Sequence, residues 1–222
     1  EARAWLQRHA RTLLSAVLTQ TISKTAAWAR IHQINDDKFS THSPKFQGIM
    51  QAEVEVKTLF LLRHAKSSWK DLFCSDHDRL LNKRGRRDAP RMARIIANRD
   101  LTPTLIISST ATRAERTAIA VHEVLADQSQ FDLDARLYHA SPHTILDIVR
   151  EKGAQHDAVI IVGHNPGLED MMRRLTNETR VFPTAALAEI RLPIDYWGEL
   201  NHSVEASLDG FWIPKALPDA MH

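Results

Sequence analysis

The stretch Thr58-Leu59-Phe60-Leu61-Leu62-Arg63-His64-Ala65-Lys66-Ser67-Ser68-Trp69 decides how this chain is read. A short apolar run that opens after Lys57 and stops at Arg63-His64 has the length and composition of a buried β-strand. In open α/β sheets, ligands sit in the crevice beyond the carboxyl ends of the strands. Packing gives little reason for a cationic pair at such an end, so Arg63 and His64 are the first candidate site residues.

Two further runs follow the same plan. Thr104-Leu105-Ile106-Ile107-Ser108 reads as a buried parallel strand, and it leads through Ser109-Thr110-Ala111-Thr112 to Arg113 at the start of a helix that continues to Leu125. A helix N-terminus already favours an anion, so an arginine there adds to a positive field instead of relieving it. Pairing of Arg113 with Glu115 or Asp134 is the structural alternative. Asp157-Ala158-Val159-Ile160-Ile161-Val162 is the third strand. It ends in Gly163-His164-Asn165-Pro166-Gly167, followed by a helix with Leu168, Met171, Met172 and Leu175 on its apolar face.

Between these units the sequence predicts a helix from about Arg87 to Asn98, preceded by a looser turn with Asn82 as N-cap, so that Pro90 falls in the first turn. Asp100 to Pro103 breaks the chain. Leu133–Tyr138 reads as a short strand, and Ser141 with Pro142 starts a helix that Gly153 closes. Thr184–Leu192 and Glu205–Ile213 read as two last strands forming an antiparallel edge. The expected fold is therefore α/β, a three-layer α/β/α sandwich with a mostly parallel sheet.

The 222 residues suffice for one substantial core plus an appendage. A formal charge of +2 gives no argument for nucleic acid. The single cysteine, Cys74, excludes an intrachain disulfide and a multi-cysteine zinc site, favours a reducing compartment, and stands in no cysteine motif. No run reaches the roughly 18 apolar residues of a transmembrane helix. Residues 1–49 differ from the rest: Glu1 to Ile34 is acid-poor, with Arg3, Arg8, Arg11, Lys24 and Arg30 and a helical spacing from about Ala2 to Thr19, and Asn35 to Gly48 is a linker-like stretch. That segment reads as a targeting peptide, a packing helix, or upstream sequence not native to the protein; Met50 stands where a compact domain covering 50–222 could begin. A cytoplasmic location is expected, or an organelle if the segment is a transit peptide.

Three parallel strands place Arg63, His64, Arg113 and His164 along one rim. Two guanidinium groups can fork onto a phosphoryl group, and two imidazoles can supply a nucleophile and a further donor. That set suffices for phosphoryl transfer through a phosphohistidine. There is no Walker loop, no metal-spaced carboxylate cluster and no histidine spacing for zinc, so neither metal nor nucleotide cofactor is expected.

Five ordered strings carry a resemblance: Leu62 to Trp69, Leu81-Asn82-Lys83-Arg84-Gly85, Leu137-Tyr138-His139-Ala140, Gly163 to Gly167, and Phe182-Pro183-Thr184. Together, over about Lys57 to Ile213, the chain resembles the histidine phosphatase, or phosphoglycerate-mutase-like, superfamily and its SixA-like phosphohistidine phosphatase branch. The resemblance implies that His64 attacks phosphorus and is transiently phosphorylated. Arg63, Arg113 and His164 would bind the phosphoryl oxygens. Many superfamily members also present a carboxylic acid to the leaving group, and no clear equivalent is legible; Asp76, Asp78 and His139 are the candidates, and Lys66 could add positive potential at the mouth. An alkoxide leaves badly without a proton, whereas imidazole leaves more readily. The expected substrate is therefore phosphohistidine on a protein. A small-molecule phosphomonoesterase and a non-catalytic phosphate-binding scaffold are the alternatives, and the sequence leaves oligomeric state open.

Overall fold

The computed structural model describes residues 56–71, 73–99 and 102–217. The expected N-terminal helix, the linker, the start at Met50 and part of the break at Asp100 lie outside them. Six strands form one sheet in the order β3-β2-β4-β1-β5-β6: β1 Lys57–Arg63, β2 Leu105–Ser108, β3 Gln130–Leu133, β4 Ala158–Gly163, β5 Leu187–Leu192 and β6 Ser207–Trp212. The pairs β1–β4, β4–β2 and β2–β3 are parallel, and β5 runs antiparallel to both β1 and β6. The last two strands thus make the antiparallel edge that the sequence suggests.

Strand alternation sends successive residues to opposite faces, and both faces are covered. Leu59 and Leu61 of β1 join Val159 and Ile161 of β4 in a core beneath α3, Pro142–Lys152, and α4, Gly167–Thr176. Phe60 and Leu62 join Ile106, Ile160 and Val162 beneath α1, Lys83–Ala97, and α2, Thr112–Leu125. The result is a three-layer sandwich whose central strands carry apolar side chains to both faces because neither face meets water.

Two elements depart from expectation. Helix α1 starts at Lys83, not Arg87, because the Asn82 side chain accepts from the Gly85 N–H at 2.9 Å and caps it there. Pro90 consequently sits inside the helix, and the apolar face of Ala89, Met92, Ala93 and Ile96 holds the helix across it. The strand expected over Leu133–Tyr138 lies earlier, at Gln130–Leu133. Asp134 accepts from the Arg136 N–H and turns Ala135–Leu137 into a single 3₁₀ turn.

Candidate active site

The parallel register sets the site. Arg63 pairs with Gly163, and Ser108 pairs with Val162, so β1, β2 and β4 end at one level. The His64 N–H donates to the Gly163 carbonyl at 3.0 Å and the Ser109 N–H to Val162 at 2.9 Å, which carries the alignment one residue past each strand. On the far side of β1, Ala185 adopts φ 59° and donates its N–H to both the Arg63 and His64 carbonyls at 3.1 Å. A non-glycine residue in that left-handed region is strained, and here the strain closes the end of β1.

All four sequence-predicted residues meet at this rim. His64 and His164 are buried, with ring centroids 5.0 Å apart. His64 Nδ1 lies 2.8 Å from the Ala65 carbonyl, which can only accept, so Nδ1 carries the proton. Arg113 Nε–H donates to His64 Nε2 at 3.3 Å, so the lone pair is on Nε2. Burial lowers the His64 pKa from 6.5 to about 4; the Arg113, Arg63 and Arg79 cations push the same way, and the bond to Ala65 opposes them. At neutral pH the ring is uncharged, and the unprotonated Nε2 carries the lone pair.

His164 follows the same logic. Burial, then the neighbouring His64, Arg113 and His139, lower its pKa to about 3. Arg113 Nη2 approaches its Nδ1 at 3.5 Å, and its Nε2 lies 2.9 Å from Ser109 Oγ. Arg63 donates through Nη1 to the Phe182 carbonyl at 2.8 Å, while its buried Nε–H has no hydrogen-bond partner among the described residues. A buried donor left open at the end of β1, on the residue next to His64, is one that an oxyanion could satisfy.

Arg113 is not paired with Glu115 or Asp134. It donates to the Asp76 carbonyl through Nη1 and to the Asp76 carboxylate through Nη2 at 2.9 Å. Asp134 is taken instead by Arg136 and Lys152. Asp76 also accepts from Tyr138 Oη at 2.8 Å and from Arg79 at 2.7 Å. Partial burial pushes the Asp76 carboxyl upward, but the bonds from Tyr138, Arg79 and Arg113 outweigh it and hold the group well below the usual carboxylate range. Of the other acid candidates, Asp78 is exposed and bonded to Ser75 and His77, and His139 is exposed with its ring 5.9 Å from that of His164. Lys66 is half-buried, with its carbonyl accepting from the Asn82 N–H.

Four groups at the site had no role in the sequence reading. Thr117 Oγ1 accepts from the Ala65 N–H and donates to the Arg113 carbonyl, tying α2 to the residue after the nucleophile candidate. Ser109 orients His164, and Tyr138 and Arg79 hold Asp76. Tyr138 lies in one of the five strings, which could have flagged it. Thr117 sits on the helix face that already carries Arg113 and gives no signal of its own. A groove of about 500 Å³ between α1 and α2, lined by Leu81, Pro90, Arg116 and Ile119, contains none of these residues. Among the described residues no group of three or more His, Cys, Asp or Glu is placed to hold a metal ion, and no helix is long and apolar enough to cross a membrane.

Residues 59–140 match the model of the histidine phosphatase superfamily (branch 1). An uncharacterized chloroplastic protein of Arabidopsis thaliana is 30% identical over 158 residues, covering 64% of this chain and 70% of that protein. Among solved structures, a candidate phosphohistidine phosphatase SixA from Agrobacterium tumefaciens is 28% identical with a TM-score of 0.61, covering 71% of this chain and 98% of the other. A mycobacterial glucosyl-3-phosphoglycerate phosphatase shares the fold at 17% identity and a TM-score of 0.52, covering 69% of this chain and 97% of its own.

Proposed function

The chain belongs to the histidine phosphatase superfamily, and from that premise we propose that it is a phosphatase working without a metal through a phosphohistidine intermediate on His64, with phosphohistidine on a protein as substrate. The catalytic domain is proposed to span 50–222, and a cytoplasmic location is proposed with it.

In this reading the His64 Nε2 lone pair attacks phosphorus as the bond to the leaving nitrogen breaks, the electron pair going with the leaving group. Arg63, through its open Nε–H, together with Arg113 and His164, binds the phosphoryl oxygens and stabilises the charge that grows on them. Water then attacks the phosphoryl group on Nε2, inorganic phosphate departs, and the neutral imidazole returns.

One observation carries the substrate reading: the carboxylate that touches Arg113, Asp76, is held ionised by Arg113, Arg79 and Tyr138. At neutral pH it has no proton for an alkoxide leaving group. The imidazole of phosphohistidine leaves as a neutral ring once solvent has protonated its other nitrogen, so it asks no acid of the enzyme. The likeness to the Agrobacterium SixA points the same way.

The test is hydrolysis of an aryl phosphate, then of a phosphohistidine protein and a sugar phosphate, all with chelator present. Wild type should turn over the aryl phosphate, His64→Ala should not, and rapid quenching should trap phosphate on residue 64 of the wild type alone. Equal activity in both proteins sinks the nucleophile assignment. Faster turnover of the sugar phosphate than of phosphohistidine sinks the substrate assignment.

A further inference from the structure

We propose that Asp76 is a positioning residue for phosphoryl transfer: it aims Arg113 at His64 and releases the outer guanidinium nitrogens when a phosphoryl group arrives. The inference rests on the phosphatase reading of the site and concerns a residue that reading leaves without a role.

Arg113 is nearly exhausted as a donor. Of its five N–H groups, Nε–H points at His64 Nε2, Nη1 reaches the Asp76 carbonyl, and Nη2 reaches the Asp76 carboxylate at 2.9 Å and His164 Nδ1 at 3.5 Å. The carbonyl and carboxylate of one residue therefore fix the outer edge of the guanidinium, and a planar group held on one edge has its other edge aimed. An oxyanion at His64 meets the Nε–H and the Nη2–H that face the two imidazoles, and it gains the outer donors only by taking them from Asp76.

The exchange does not strand the carboxylate. Asp76 Oδ1 keeps the Arg79 fork, at 3.1 and 2.7 Å, and Oδ2 keeps Tyr138 at 2.8 Å. Arg79 is fixed in turn: it donates to Ser67 Oγ at 2.6 Å and lies 3.6 Å over the Trp69 ring. Asp76 is thus seated independently of Arg113, as a holder that gives up its cargo must be. The carboxylate is 43% exposed while the Arg113 side chain is 3% exposed. A merely structural role, neutralising a buried cation, would also explain the pair, and the two roles differ in sign. A structural partner, once removed, leaves a loosened site that binds phosphate more weakly. A competing holder, once removed, frees donors and raises the positive potential, so phosphate binds more tightly while the misaimed arginine slows the reaction.

The experiment compares full-length wild type, Asp76→Asn and Tyr138→Phe by steady-state aryl phosphate hydrolysis, calorimetric titration with inorganic phosphate, and thermal melting. Asp76→Asn should lower kcat about ten- to a hundredfold, the scale of a misplaced catalytic group, leave KM no higher, and tighten phosphate binding severalfold. Tyr138→Phe should move both quantities in the same directions by less. Weaker phosphate binding or an unchanged kcat in Asp76→Asn overturns the inference. If Asp76→Asn does not fold, the same two signs in Tyr138→Phe decide it. A wild type that never turns over phosphate esters or phosphohistidine would sink the phosphatase reading instead, while the phosphate titration would still read the competition between Asp76 and the anion.

Discussion

His64 is kept ready by its surroundings. A free imidazole is half protonated at 6.5, whereas burial and the flanking guanidinium groups carry His64 to about 4. In the proposed reaction its nucleophilic form is the neutral one, so a lowered pKa extends activity toward acid. With substrate ionisation corrected for, kcat/KM should show no loss from His64 between pH 7 and about 5, and its acid limb should centre near 4. A limb centred near 6.5 would mean that solvent reaches the ring freely and that the pocket does not protect it. The same pocket explains why the tautomer is fixed: with Nδ1–H committed to the Ala65 carbonyl, Nε2 is the nitrogen left for the proposed attack on phosphorus.

Among the elements, α1 sets the floor of the site by a close backbone approach. A Cβ placed on Gly85 would come within 2.2 Å of the Lys66 carbonyl oxygen, two residues past His64. That oxygen also accepts from the Asn82 N–H, so the helix cap and the loop after His64 are one structure. Gly85→Ala should cost about 1–3 kcal/mol in urea unfolding, as overpacking does, and should lower kcat with it, since relief requires the backbone after His64 to move. A stable Gly85→Ala protein with wild-type kcat would refute that coupling. The elements legible in the sequence were those with a strong period, such as the apolar runs of β1, β2 and β4 and the Ser141-Pro142 start of α3. Strand β3 was misplaced because Gln130–Leu133 is an edge strand with an exposed or half-exposed burial pattern, so no residue in it had to be strongly apolar.

On the scale of the molecule, the four residues at the strand ends were legible because a parallel sheet turns sequence-distant positions into neighbours by rule. The groups that orient them were not, because Asp76 reaches Arg113 across the loop from Ser67 to Leu80, whose path no periodicity specifies. Gathering cations and two imidazoles in one buried rim also has a cost for the whole fold. His64 and His164 stay neutral in the native state down to about 4 and about 3, but in the unfolded chain both protonate near 6.5. Below 6.5 the unfolded state therefore binds protons that the native state refuses, and linkage requires stability to fall as pH drops through that window. The urea midpoint should decline from pH 6.5 toward 4. The chain carries 12 histidines, so the share of these two is read by difference: a His64→Asn, His164→Asn double variant should show a shallower decline than wild type over the same range. Parallel declines would mean that the two rings titrate alike folded and unfolded, and that the rim is wetter than its packing implies.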